Sequence, residues 1–365
     1  MALTVELITL PTPVSSGGYH VAGPTPAGPY DQAIRLESMG QYRRLFGTRT
    51  PETSAVYDDL ELFFAEGGEQ AYLTRTPPEA TPEAVVAALD ATAAGLTGTA
   101  VATPSYPADA IGPHLIAHAG RTGRIALLAT DAVATVADVT ALTGELAGEE
   151  HADHAGLFWP WVVTTSRLGE RRAVSPCGFV AAARARAHRT GYWVHPAGGR
   201  ARVSSVTGLL APVDREDAWE LADHLVSGIC STAAGVQLWG WWSLAGDRAH
   251  FAHLSARDLL NNVAAELSRE LADRAQERWA SVEQSYSRIW TTAVAVLARL
   301  AAAGAFTPSP DPTHPDEGYR LAMVMNPQRT AVELQVDVRS LQYTRLVGAQ
   351  VYRIPLSVPI PRSTI

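Results

Sequence analysis

One run gathers five side chains able to ligate a metal: EEHADH, holding Glu149, Glu150, His151, Asp153 and His154. Imidazoles and carboxylates this close could hold zinc or another divalent ion. Their spacing, however, is neither the HExxH pair of a zinc helix nor that of a finger, and such runs ordinarily cap a helix or line a loop. No metal site is expected there. The glycine pairs Gly67–Gly68 and Gly198–Gly199 invite a phosphate-loop reading. A Walker loop needs a lysine on the phosphates, and this chain has none: its 29 basic residues are all arginine. A dinucleotide fingerprint needs strand, glycines, helix in that order, whereas Gly67 and Gly68 follow a helical pattern and precede a strand-like run. That order suits a helix C-cap, where glycine takes the left-handed conformation cheaply. No GxSxG is present, and Cys177 and Cys230 have neither CxxC spacing nor a histidine partner close in sequence. Both read as buried, inert thiols. His188, His195, His250 and His253 could be gathered only by folding, and read as surface or hydrogen-bonded histidines. No catalytic constellation and no cofactor site emerges.

The composition behind these residues is that of a folded protein. At 365 residues and 47% hydrophobic content the chain can bury one large core or two moderate ones. A net charge of −8, dispersed along the sequence, argues against a nucleic-acid binder, which needs a clustered basic face. There is no signal-peptide pattern and no apolar run of about 18 residues, so membrane insertion is not expected and the cytoplasm is the expected site of synthesis.

The periodicity alternates. Residues 1 to 18 begin with a strand pattern on Leu3, Val5 and Leu7 and dissolve into Pro, Ser and Gly. SMGQYRRLFG is a helix opened by Ser38 and closed by Gly47. LELFFAEGGEQAYLTRT, residues 60–76, runs a helix carrying Phe63 and Phe64 through the glycines into a strand. TPEAVVAALDATAAGL and TVADVTALTGELAGEE read as helices, RIALLAT and LFWPWVVTT as strands. VSPCGFVAAARARAHRTG opens a further helix from a Gly and Pro loop. VDREDAWELADHLVSGIC reads as a helix and GVQLWGWWSLA as a strand. Residues 255–303 carry apolar residues at three and four spacing in two blocks, predicting two helices with a bend near Trp279. YRLAMVMN and TAVELQVDVRSL are strands. The closing GAQVYRIPLSVPIPRSTI is β-like but carries Pro355, Pro359 and Pro361, so it cannot lie wholly inside a central sheet. This alternation predicts a mixed α/β fold.

The order and spacing of several motifs resemble the contractile tail sheath proteins of phages and extracellular contractile injection systems. AGPTPAGPYDQAIRLESMGQYRRLFG followed by LELFFAEGGEQAYLTRT is similar to that family's "slaeFerlFG" and "avrqFFenGGrrayVvRv", matching at Gly28, Pro29, Phe46, Gly47, Phe63, Phe64, Gly67, Gly68, Tyr72 and Arg75. SPCGFVAAARARAHRTGYWVHPAGG resembles "PPSGhvAGiyArtDaerGvwkAPAg" through Pro176, Gly178, Ala181, Ala185, Gly191, Trp193, Pro196 and Ala197. VTGLL follows in register, LWGWWSLAGD is similar to "vWGaRTLsgd", RDLLNNVAAELSREL to the family's "RRlldyIeesi" helix, and YRLAMVMNP falls at its "yfVrcd" strand. The chain departs from the pattern at Trp242 and Ser243, where the family commonly has Arg and Thr, and at His188, where it commonly has aspartate.

The resemblance implies a two-lobed α/β core with extended terminal β-strand arms. The divisions expected are an N-terminal arm at 1–18, lobes at 19–158 and 159–344, and a C-terminal arm at 345–365. Two terminal strands that a compact monomer cannot both satisfy leave open edges, and adding such strands to a neighbour's sheet builds a non-closing, helical assembly. The arm residues expected to do so are Leu3, Val5, Leu7, Val351, Tyr352, Ile354, Leu356 and Val358; Arg288 and Arg299 are candidates for a tube-facing surface. By resemblance the partners are further copies of the chain in a stacked hexameric lattice, an inner tube protein, and baseplate and terminator proteins. The function implied is that of a structural, non-enzymatic sheath subunit, assembled in the cytoplasm into a phage tail or injection particle, whose contraction drives the tube through a target envelope. The alternatives are a closed-ring adaptor, terminator or baseplate component, and a soluble α/β enzyme.

Overall fold

The computed structural model describes residues 17–165, 169–198, 205–245, 251–275, 282–309, 313, 315–325, 331–340 and 350–359 of the chain. Leu3, Val5, Leu7, Gly199, His250, Trp279 and Pro361 lie outside the described residues.

Five short apolar runs, β1 (Tyr19–Pro24), β3 (Ala71–Thr76), β4 (Ala100–Ala102), β5 (Ile125–Leu128) and β6 (Ala155–Trp159), pair in parallel, and β10 (Val226–Thr232) joins beyond β6. Antiparallel strands close both edges: β2 (Ala33–Leu36) on β3 and β11 (Gly235–Leu238) on β10. The eight strands run β11-β10-β6-β5-β4-β1-β3-β2, taking strands from both sides of residue 158. Parallel strands stay dry only when both faces are covered, and the side-chain alternation serves two separate cores. Tyr19, Val21, Ile125, Leu127 and Phe158 face α1 (Met39–Phe46), α2 (Ser54–Ala65) and α6 (Cys177–His188). Ala22, Val101, Ala126, Leu128 and Leu157 face α3 (Pro82–Ala91), α4 (Ala108–Thr122), α5 (Val136–Leu146) and α7 (Arg215–Asp223).

The glycine pair after α2 has the role expected of it. Gly67 takes φ +86°, its N–H donates to the Phe64 carbonyl, and the Gly68 N–H reaches back to the Phe63 carbonyl at 2.9 Å, a Schellman termination. Phe63 is fully buried against the sheet, and a Cβ on Gly68 would stand 2.3 Å from its ring. The unit is scaffold that delivers β3 to the sheet.

Three elements differ from the sequence reading. LFWPWVVTT is two strands: β6 ends at Trp159, and β7 (Val162–Thr165) enters an antiparallel sheet of order β8-β7-β9 with β8 (Arg171–Val174) and β9 (Val206–Leu209). Pro160 between them has no N–H for a ladder. The helix in VDREDAWELADHLVSGIC stops at Asp223, and Val226–Thr232 is β10. Its start is set by a capping box between Asp214 and Asp217, but a short buried apolar run is helix or strand only by what it packs on. In GVQLWGWWSLA only Gly235–Leu238 is strand; Trp241 turns inward, fully buried beside Phe158.

A second layer holds the C-terminal third. The two expected helices are α8 (Leu254–Ala275) and α9 (Val282–Ala302), and they cover a sheet of order β12-β13-β14, with β12 (Tyr319–Met325), β13 (Ala331–Ser340) and β14 (Gln350–Pro359). A buried ion pair fastens this layer to the main one. The Arg184 guanidinium of α6 meets the Asp258 carboxylate of α8 through Nε at 3.1 Å to both oxygens, and it also donates to the Gly98 carbonyl at 2.7 Å. Both side chains are essentially inaccessible to solvent.

Candidate assembly surface

The closing segment forms the edge of the small sheet. β14 pairs antiparallel with β13 along its whole length, with Val351 opposite Arg339, Tyr352 opposite Val338, Ile354 opposite Val336, Leu356 opposite Leu334 and Val358 opposite Val332. Ile354 and Val358 are buried, and Leu356 packs against the same cluster as the α8 and α9 leucines. The prolines the sequence reading weighed against a central strand, Pro355 and Pro359, lie in an edge strand, where a missing N–H is tolerated. β12 forms the other edge, with Val324 pointing outward at 63% exposure. Among the described residues the small sheet therefore buries one face on the helices and presents two edges. An edge strand carries a row of main-chain donors and acceptors that another chain can pair with.

The two arginines proposed for a tube-facing surface both sit on α9. Arg288 is exposed. Arg299 donates to the Glu266 carboxylate of α8, whose other oxygen accepts from the Tyr192 hydroxyl at 3.0 Å. Trp290, two residues beyond Arg288, is 40% exposed; its solvent exposure on α9 was not read from the sequence.

Several of the candidate chemical residues that are described make contacts within the fold. Asp153 pairs with Arg257 of α8, the His154 imidazole shares a hydrogen bond with the Arg124 carbonyl at 3.0 Å, and the His151 ring lies where a Cβ on Gly120 would be. Of the four scattered histidines three are described, and the fold brings two of these together: the His195 and His253 rings lie 5.4 Å apart, and Trp242 stacks on His253 at 4.3 Å. Burial holds His253 down at about 4 and His195 at about 3, so both are neutral over the physiological range. Trp242, at the family's arginine position, is thus an aromatic lid on a buried imidazole. His188, at its aspartate position, sets Nε2 3.4 Å from Asp258. Cys177 and Cys230 are buried free thiols, and burial pushes the Cys177 thiol far above its ordinary value. Asp59 is fully buried, accepting from the Tyr19 hydroxyl at 2.8 Å and from the Gly178 N–H at 2.7 Å. It closes the N-terminus of α6, whose own N-cap position holds Pro176. Burial pushes this carboxyl up to about 7.

The largest cavity among those described, about 520 Å³, lies between α1, α2 and the β7 sheet. Its charged lining is paired off within the subunit: Arg172 contacts Asp58 at 3.2 Å and Glu170 at 2.7 Å, and Arg49 holds Asp58 through Nε and Nη2, both at 2.8 Å. No helix among the described residues is long and apolar enough to cross a membrane.

No family model matches the sequence, and no curated protein matches it. Solved structures do. A chain of the anti-feeding prophage baseplate, symmetrised six-fold, is similar over 92% of this chain and 93% of its own, with a TM-score of 0.71 and 18% identity. The anti-feeding prophage helical sheath in its contracted state is similar over 96% of this chain and 99% of its own, with a TM-score of 0.67 and 17% identity. The crystal structure of the sheath tail protein Lin1278 from Listeria innocua is similar over 94% and 95% of the two chains, with a TM-score of 0.63 and 9% identity. The chain has the fold of contractile-system sheath proteins over nearly its full length.

Proposed function

We propose that this protein is the repeating structural subunit of a contractile sheath, polymerising helically around an inner tube and shortening to drive that tube through a target envelope. The observation that carries the proposal is the end-to-end match to a helical sheath subunit, small C-terminal layer included, together with two sheet edges in that layer. Residues 1–18 and 345–365 are the linking arms in this reading. The N-terminal arm would add to a neighbour's sheet edge, while β14, already paired with β13 of its own subunit, would offer its outer edge to a neighbour's strand. Main-chain pairing of this kind needs no particular side chain and so survives sequence divergence. Contraction on this scheme is a rigid-body repacking of subunit interfaces with the arms kept connected. It draws on energy stored in the assembled lattice, so the subunit is structural and not an enzyme. Arg288 and Arg299, eleven positions apart and therefore on one side of α9, are proposed to face the tube.

A second reading, a closed-ring component next to the baseplate, has the six-fold baseplate chain in its favour. Expression of the full chain alone followed by negative-stain electron microscopy separates the two. Long, helically ribbed hollow tubes are the expected outcome; discrete rings would move the assignment to the baseplate, and monodisperse monomers with intact termini would overturn both. Truncation at either end is expected to leave a folded main layer that no longer forms tubes, and tubes from either truncated chain would remove the arms from the scheme.

A further inference from the structure

A chain of polar side chains crosses the interior of the main layer around one buried cation. The Asp90 carboxylate of α3 accepts from His118 Nδ1 of α4 at 2.7 Å; His118 Nε2 lies 3.2 Å from a guanidinium nitrogen of Arg124; the same nitrogen lies 2.9 Å from His20 Nδ1 of β1. Beyond it His20 Nε2 reaches Thr74 Oγ1 of β3 at 2.8 Å, Thr74 contacts Thr92 at 2.9 Å, and Thr92 donates to the Ala88 carbonyl. His20, His118 and Arg124 are all fully buried. A guanidinium only donates, so the imidazole nitrogens facing it must both carry lone pairs. That requirement sets both tautomers: His118 keeps its proton on Nδ1 toward Asp90, and His20 on Nε2 toward Thr74.

We propose that this relay is a proton-operated lock: neutral His20 and His118 hold α3, α4, β1, β3 and the start of β5 around Arg124, and protonation of either imidazole opens that side of the layer. Protonation replaces an acceptor with a donor and sets a second positive charge beside the buried guanidinium, a pairing that a dry interior strongly disfavours. The other groups facing the relay do not neutralise this. Asp90 also holds Arg121 at 2.7 Å on its second oxygen, and the Tyr72 ring of β3 lies edge-on to His20 at 6.4 Å. On the far side the Arg124 carbonyl contacts His154 at 3.0 Å and Asn261 of α8 at 3.4 Å, so an opened relay also slackens the seam with the second layer. Near His154 the charged and titratable groups are His151 and Asp258, the latter already held by Arg184 and His188.

The pH window follows from the direction of the shifts. Burial, then Arg124, holds His118 down at about 4 against the pull of Asp90, and burial with Arg124 lowers His20 well below its ordinary value. In the unfolded chain both titrate near 6.5. The unfolded state therefore binds more protons below about pH 6.5, and the lock's contribution is complete above that pH and lost as pH falls through the folded value.

Urea denaturation of the full chain between pH 8 and pH 4, for wild type, His118→Gln and His20→Gln, tests this. Glutamine can accept from Arg124 and donate onward but cannot be protonated. Wild type is expected to lose up to about tenfold in its folding constant per pH unit for each imidazole below pH 6.5, and each variant to lose less by one imidazole's share. Slopes identical to wild type in both variants would overturn the lock. Should the variants fail to fold, the His118 ring resonance of wild type decides instead: a ring neutral down to about pH 4 upholds the proposal, and titration near 6.5 overturns it. Amide exchange at pH 5 is expected to quicken first in α3, α4 and the start of β5, and uniform loss of protection would overturn the local opening.

Discussion

Single side chains decide how the two layers and the two helical faces meet. Arg184 and Asp258 compensate each other's charge at a site closed to bulk solvent, so removing one leaves the other's buried charge uncompensated. Asp258→Ala is expected to cost about 3–5 kcal/mol, against a smaller loss for the neutral pair left by an Arg184→Met, Asp258→Leu double substitution, both read from urea midpoints. A near-equal loss in the two proteins would show that geometry rather than charge holds the seam. Gly178 answers to distance. A Cβ there would come 2.2 Å from the Asp59 backbone oxygen, so α2 and α6 approach as closely as they do only because it is glycine. Gly178→Ala is expected to cost about 1–3 kcal/mol through overpacking, measured by the same transitions, and an unchanged midpoint would mean the helices separate freely.

At the scale of the element, termini and edges carry the argument. α1 starts where Ser38 accepts from the Gln41 N–H and stops at Gly47, and α5 starts with a capping box of Thr135 and Asp138. These are local contacts between near neighbours in sequence, which is why the helices could be placed from the amino acids. Gly67 is the turn on which β3 depends: a residue with a Cβ there meets the left-handed penalty. Gly67→Ala is expected to destabilise by about 1–2 kcal/mol without altering assembly, checked by thermal melting alongside microscopy of the product. Strands were harder to place. VSGIC and the tail of LFWPWVVTT are apolar runs whose identity rests on the partner strand, which periodicity does not name. β14 is the sharpest case, since its prolines argue only for an edge, and an edge of which sheet is a matter of folding.

For the whole molecule the buried titratable groups set the response to acid, and they pull in opposite directions. His20, His118, His154, His195 and His253 are all lowered, so the unfolded chain takes up their protons first and stability falls as pH drops from about 6.5 toward 4. Asp59 is raised to about 7. The folded state keeps its proton where the unfolded chain, near 3.9, has lost it; that contribution is full below the unfolded value and lost as pH rises through about 7. Five imidazoles against one carboxyl predict net acid lability. Asp59→Asn, which removes the offset, is expected to steepen the loss of stability below pH 6.5, and a shallower curve would reverse the assignment.

Element types, helix caps, the mixed α/β class and the scaffold role of the Gly67–Gly68 unit were legible in the sequence because each rests on near-neighbour contacts or on a repeating apolar pattern. The absence of lysine and of a nucleophile motif likewise bounded the chemistry before any fold was known. Tertiary structure alone decided the strand order, the split of residues 155–165 between two sheets, the union of His195 with His253, and the burial of Arg124 among three imidazoles. His20 and Arg124 are 104 positions apart, and Arg184 and Asp258 74. Such meetings depend on how two layers pack, and no local propensity encodes them.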